Sequence, residues 1–353
     1  MKIEKDGLIK MRRPNDFHSH LREGFILKKI VGLSNIYGYV VAMGNLKEWI
    51  TTAKDRRRYL NEINSCDPNF KPIVPIMLSQ KTTPEIIEEA YNDGARIVKY
   101  IPKKASTNST DGIPLENLNK YYTCLKKIRD LGMIFSGHWE LPFDSSSGYE
   151  LPELTRECAS IPYLRNITND IGNLKICVEH ISTEEMVEFI KNAPKKIKIA
   201  GTITVHHMIL KYENIFDGFN SIINPFLYSR PIAKHERDRL VLIKAATSGD
   251  PKFFFGSDSA PHLVKDKQNT NLIPAGIYIP CAVAIATLAE IFENFNSLEN
   301  LEKFAVINGE KFYELEGNRE EIKLRKNSWT VEPEYYNIVP FRARQKLKYI
   351  VEY

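Results

Sequence analysis

Eight short apolar runs alternate with helical patterns along the chain, and this alternation limits the fold more than any other feature. The runs cover 17–21, 38–43, 72–78, 95–101, 133–138, 174–180, 198–205 and 252–258. Most are rich in β-branched or aromatic residues and nearly continuous in apolarity, as parallel strands buried on both faces are. The segments between them read as helices. Thr83-Pro84-Glu85 places a cap residue before a proline at the first helical position. Ser182-Thr183-Glu184-Glu185 reads as a capping box, with Met186, Val187 and Ile190 following at helical spacing. Residues 234–246 and 282–292 also read as helical. A strand-helix unit repeated eight times predicts an α/β fold, a (β/α)8 TIM-like barrel. The alternative is an open doubly wound sheet, but no Gly-x-Gly-x-x-Gly follows the first strand. One domain is expected over 1–353, with a tail of about 323–353 packed outside the barrel. In that tail, 329–331 and 338–341 read as short strands.

Composition removes several function classes. The five cysteines, Cys66, Cys124, Cys158, Cys177 and Cys281, are scattered and lack Cys-x-x-Cys spacing. They imply neither a disulfide framework nor a zinc ribbon, and a reducing compartment is the default. No apolar run approaches the ~18 residues of a membrane span, and residues 1–10 lack the apolar stretch of a secretory signal. A cytoplasmic protein without a membrane partner is expected. The net charge of +5 is mild and is no nucleic-acid signature.

Chemistry gathers where the runs end. His18 and His20 close the first run, two residues apart, and would present two imidazoles on one side of a strand. Arg22 keeps the same parity if the strand runs that far, and suits a carboxylate held by two parallel hydrogen bonds. Lys99 lies near the end of run four, His138 ends run five, His180 ends run six and Asp258 ends run eight. In a barrel these ends share one mouth, where the active site lies. Four histidines, a lysine and an aspartate at one mouth suit a metal centre. An ammonium repels a cation, so Lys99 as a ligand requires carbamylation, which converts it to a carboxylate. The plainer reading is a lysine that snorkels to solvent or pairs with an acid.

These residues stand in longer matching stretches. They include 13–22 (Arg-Pro-Asn-Asp-Phe-His-Ser-His-Leu-Arg), Met43-Gly44-Asn45, Lys99-Tyr100-Ile101-Pro102 and Thr107-Asn108-Ser109. Further on come His138-Trp139-Glu140, Glu179-His180-Ile181-Ser182-Thr183, Thr202-Ile203-Thr204 and 256–262 (Gly-Ser-Asp-Ser-Ala-Pro-His). Through them the chain resembles single-function dihydroorotases of the amidohydrolase superfamily, in order over roughly 12–341. The resemblance implies two zinc ions per subunit. His18, His20 and Asp258 would hold one, His138 and His180 the other, and carbamylated Lys99 would bridge them. It also implies that Arg22, Asn45 and His262 bind the substrate carboxylate. Arg230 and Ile279 would contact the ring through their main chains, and Ser106 and Thr107 would lie on a loop closing over the substrate. Asp258 would shuttle the catalytic proton. The reaction implied is zinc-dependent cyclisation of N-carbamoyl-L-aspartate to dihydroorotate, the third step of pyrimidine synthesis. The assembly implied is a homodimer.

The chain departs from that pattern in four places. Gly44 replaces a proline, predicting a looser turn before Asn45. Trp139 replaces a glycine and is expected to crowd the second metal. Arg230 replaces an apolar residue, and the segment around Ile279 is one residue short. His206 and His207 follow run seven and read as polar residues near the mouth, outside the metal set. His235, Arg56-Arg57-Arg58 and the basic stretch 342–346 read as solvated surface. The rivals are another cyclic amidohydrolase, such as a hydantoinase, and a non-catalytic binding barrel. The Arg22 and Asn45 pair argues against the first, and the complete ligand set against the second.

Overall fold

Each of the eight runs contains a strand. In a computed structural model describing residues 1–4, 7–269 and 271–353, these are Asp16–Ser19, Tyr39–Ala42, Lys71–Ile73 with Ile76–Met77, Ile97–Tyr100, Ile134–Gly137, Lys175–Val178, Ile199–Ile203 and Phe253–Phe255. They are numbered one to eight below. Strand three is in two pieces because Pro75 has no N–H to give a ladder. Its first piece pairs with strand two and its second with strand four, so the parallel ladders form one three-stranded and one six-stranded sheet. Strands eight and one meet through single contacts. Asp258 N–H donates to the His18 carbonyl and His20 N–H to the Ser259 carbonyl, both at 2.8 Å. The fold is the expected TIM-like α/β arrangement.

The interior explains why it holds. Phe17, Val41, Ile97, Ile134, Cys177, Ala200 and Phe254 are buried together with Tyr313, and Ile73 packs against them. Every strand thus contributes one inward apolar side chain to a floor beneath the site. Helices cover the outside. Thr83 caps Pro84–Asn92 by accepting the Ile86 N–H. Thr183 caps Glu184–Lys191 alone, correcting the capping box: the Ser182 N–H and hydroxyl are taken by the buried Glu157 carboxylate instead. The helix expected from 234 starts at Glu236, because Lys234 reaches back to the Glu153 carbonyl.

The ends of the chain differ most from expectation. Ile9–Arg12, Glu321–Thr330 and Lys346–Glu352 form an antiparallel sheet with Lys2–Ile3 at its edge. The alternation of exposed and buried residues along 321–325 and 346–349 is that of a sheet with one wet face. Residues 338–341 make only isolated bridges. Arg57, Arg58 and Arg344 are exposed as expected, but two arginines are not merely solvated. Arg56 donates to the Val74, Asp93 and Gly94 carbonyls, and Arg342 pairs with Glu290 at 2.5 Å, docking the tail on helix Cys281–Asn294. Among the described residues no helix is long and apolar enough to cross a membrane.

Candidate metal centre and active site

Three backbone devices aim the side chains. A bulge in strand one sets three steps, from Asp16 to Ser19, against two in strand two, from Val40 to Ala42. Phe17 can then join the barrel floor while His18, next in sequence, also faces the site above it. The simple alternation expected for His18, His20 and Arg22 is therefore not what unites them; Arg22 lies beyond the strand. Arg22, His180 and Asp258 adopt positive φ of 63°, 40° and 51°. Such conformations cost about 1–3 kcal/mol each and persist where surrounding packing enforces them. Elsewhere parity suffices. Ile134, Ser136 and His138 share one side of strand five, which turns Trp139 the other way, onto Tyr100 and Phe135. Trp139 thus does not crowd the cluster. Gly256 lets strands eight and one approach, since a Cβ there would lie 3.0 Å from those of His18 and Thr202.

The candidate ligand atoms converge with few donors among them, a His20–Asp258 hydrogen bond being one. His18 Nδ1 donates to Glu179 Oε2 at 2.9 Å, leaving its Nε2 lone pair facing Asp258 Oδ1 at 3.4 Å. His138 Nε2 donates to Glu140 at 2.8 Å, leaving its Nδ1 lone pair 3.2 Å from His180 Nε2. His20 Nε2 lies 3.2 Å from the same Asp258 oxygen. Ligand atoms of His18, His180 and Asp258 fall within 4.8 Å of one another. Burial, opposed in part by Asp258, pushes His20 down to about 4, and burial holds His180 well below the ordinary imidazole value. Neutral imidazoles and a carboxylate pointing inward repel one another unless a cation lies among them, so these residues fit a metal. Lys99 is fully buried and its Nζ has no hydrogen-bond partner among the described residues, which excludes the snorkelling reading. Burial lowers its pKa, favouring the neutral amine.

A second group lies beside the ligands. Arg22 donates through Nε to the Pro261 carbonyl at 3.1 Å and through Nη2 to His262 Nε2 at 2.9 Å. Asn45 Oδ1 is buried with no partner among the described residues. Its turn is not loose: the Gly44 carbonyl accepts Ile50 N–H, and a Cβ on Gly44 would meet Ile50 and Pro75 at 3.2 Å. Ser106, Thr107 and Arg230 line the same cavity as the ligands, together with Ala275 and Gly276. The Thr107 hydroxyl donates to the Ala275 carbonyl at 3.2 Å, joining loop to wall. The Arg230 side chain is drawn to Glu153 at 2.5 Å. Two expected site residues do not line this cavity: His262 lies against Arg22 in the wider cleft outside it, and the Ile279 N–H is taken by Ser259 Oγ at 3.0 Å. His206 and His207 are buried just past the mouth end of strand seven and do not line the cavity. His207 bonds Thr204 and the Pro231 carbonyl.

No family model matches the chain. A dihydroorotase of Aliivibrio fischeri is 37% identical over 350 residues, covering 96% of this chain and 98% of that protein. The chain belongs to the dihydroorotase family. The crystal structure of a Saccharomyces cerevisiae dihydroorotase in complex with 5-fluoroorotic acid superposes with a TM-score of 0.89 at 31% identity, covering 98% of each chain. An Arthrobacter aurescens L-hydantoinase (dihydropyrimidinase) shares the fold at TM-score 0.80 and 12% identity. Against that family background, the sequence reading overlooked the carboxylates that hold the histidines. Glu179 takes His18, Ser136 and Thr202; Glu140 takes His138; Asp16 takes the Ser257 N–H and hydroxyl. The signal was present: Glu179 directly precedes His180, and Glu140 lies two residues after His138.

Proposed function

We propose that this chain catalyses the reversible interconversion of N-carbamoyl-L-aspartate and (S)-dihydroorotate, the third step of de novo pyrimidine synthesis. The observation that carries the reading is a cavity where inward-pointing candidate ligand atoms around a buried Lys99 meet Arg22 and Asn45, with His262 held against Arg22 at its edge. His18, His20 and Asp258 would hold one zinc ion and His138 and His180 a second. Lys99 carboxylated on Nζ would lie between them, and its lowered pKa supports attack of the neutral amine on carbon dioxide. Bound metal would polarise the ring carbonyl and lower the pKa of water.

The chain's own groups do the rest. Arg22, His262 and the Asn45 amide N–H grip the substrate carboxylate, fixing the ring against the candidate ligands. Asp258 accepts the proton of the attacking water and delivers it to the departing ring nitrogen. Burial alone would raise its pKa, but the His20 hydrogen bond and the surrounding imidazoles hold it well below the ordinary range, so it is charged. Ser106 and Thr107 close the loop over the bound ring, and the Arg230 main chain borders it. The single domain of 1–353, a homodimeric state and a cytoplasmic setting belong to the same reading; five free cysteines fit a reducing compartment.

The test is ultraviolet absorbance of dihydroorotate with purified protein, before and after chelation, paired with metal analysis. Loss of absorbance that chelation stops and zinc restores is expected. Bound metal without turnover would replace dihydroorotate by another cyclic amide. Neither metal nor turnover would favour a non-catalytic barrel.

A further inference from the structure

Lys267 is a buried cation that no described carboxylate neutralises. It ends the short helix Val264–Lys267, five residues after His262, and is 3% exposed. Its ammonium donates to three carbonyls: Gly276 at 2.8 Å, Pro274 at 2.9 Å and Tyr228 at 3.0 Å. Three acceptors match the three N–H bonds of an ammonium, so the group is saturated. Burial and the nearby Arg22 push it down to about 7, while the three carbonyls favour the charged form.

What the three carbonyls hold is informative. Pro274 and Gly276 flank Ala275, whose own carbonyl receives the Thr107 hydroxyl of the loop over the site. Tyr228 lies two residues before Arg230, and its carbonyl also accepts the Gly276 N–H at 3.0 Å. Gly276 has φ of +148°, and a Cβ there would press on Ala260 and His262 at 2.7 and 2.9 Å. One ammonium therefore ties two separate stretches of the cavity wall and fixes the peptide against which the loop closes. An apolar side chain of similar size would leave the Pro274 and Gly276 carbonyls to find other donors, and the Tyr228 carbonyl with the Gly276 N–H alone.

We propose that Lys267 is a positioning residue for the reaction, orienting the wall at 274–276 so that Thr107 and His262 are set for the substrate. This rests on the dihydroorotase reading above. Lys267→Met, purified with its metal complement, should raise KM for dihydroorotate about tenfold while kcat falls less than about threefold, as expected when groups that bind the ground state are misplaced. Lys267→Arg, which keeps charge and multiple donors, should recover to within about threefold of the parent enzyme. Thr107→Val should not add to the Lys267→Met loss, because both act through Ala275. Amide hydrogen exchange should quicken at 272–277 and 103–110 in Lys267→Met. An unchanged KM, or losses that multiply in the double variant, would overturn the proposal in favour of a purely structural lysine. If Lys267→Met does not fold, Lys267→Gln is judged by the same criteria. Failure of the parent enzyme to turn over dihydroorotate would refute the functional reading instead, and the exchange comparison would still decide the role of Lys267.

Discussion

Glu179→Gln isolates the charge that holds His18. The carboxylate is fully buried, yet His18 and Lys99 overcome the desolvation cost and hold it down to about 2. Oε2 accepts His18 Nδ1 at 2.9 Å and Thr202 Oγ1 at 2.8 Å, while Oε1 accepts Ser136 Oγ at 2.5 Å. A glutamine with its oxygen on the His18 side and its amide on the Ser136 side keeps every hydrogen bond, since the serine hydroxyl can turn and accept. Shape and bond count then survive and only charge is lost. Charge-assisted bonds contribute about 1.5–3 kcal/mol against ~1 kcal/mol for neutral ones, so the loss on His18 is about 1–2 kcal/mol. That corresponds to roughly 5- to 30-fold in zinc affinity, around the lower end of the 10- to 100-fold range typical of groups behind a metal ligand. The assay is zinc competition against a chromophoric chelator, with kcat/KM measured alongside and folding checked by circular dichroism. A folded variant whose zinc affinity and activity both stay within about twofold of the parent would refute the view that Glu179 orients His18.

Two further perturbations test the frame around the site. A Cβ on Gly309 would lie 2.0 Å from the Phe17 ring, so Gly309→Ala must displace an aromatic of the barrel floor; chemical denaturation should show a loss of about 2–3 kcal/mol. Glu293 is held down to about 2, where burial is outweighed by Lys326 and Lys348. A depressed carboxyl stabilises the fold above its unfolded pKa of about 4.3, and that stability is lost as pH falls toward 2. Thermal melts should therefore show Glu293→Gln less stable than the parent at pH 6, with the gap closing between about pH 4.5 and 2; a constant gap would mean the charge is not the cause.

The barrel was legible because buried parallel strands write continuous apolar runs, and every such run proved to hold a strand. The candidate ligands were legible because they sit where those runs stop. Periodicity could not show what aims them. The bulge at 16–19 and the positive φ at Arg22, His180 and Asp258 are local breaks from the repeat that the pattern depends on. Ile279 was misplaced for a related reason: its neighbours Ala275 and Gly276 reach the cavity while its own N–H is used by Ser259. Glu179 was overlooked because a buried charge is recognised by its partners, and His18, Ser136 and Thr202 lie tens of residues away; Lys267 was overlooked because its partners are backbone carbonyls, which no sequence pattern marks. The outer sheet went unread at its N-terminal edge because four residues, Ile9–Arg12, are too few to establish an alternation.

The same outer sheet sets a schedule for synthesis. Ile9–Arg12 pairs with Lys2–Ile3 and with 321–324, so a segment made early waits for one made about three hundred residues later. Strand one waits similarly for Ser257 and Asp258, which bond Asp16 and His18 from the far end of the barrel. The opening histidines of the metal set are thus made early and locked late. Until then the nascent chain carries an unpaired strand edge, the kind of surface that invites wrong pairing. Losing the last thirty or so residues would strip the partner from Ile9–Arg12 and bare the helix that Arg342 and Lys348 cover.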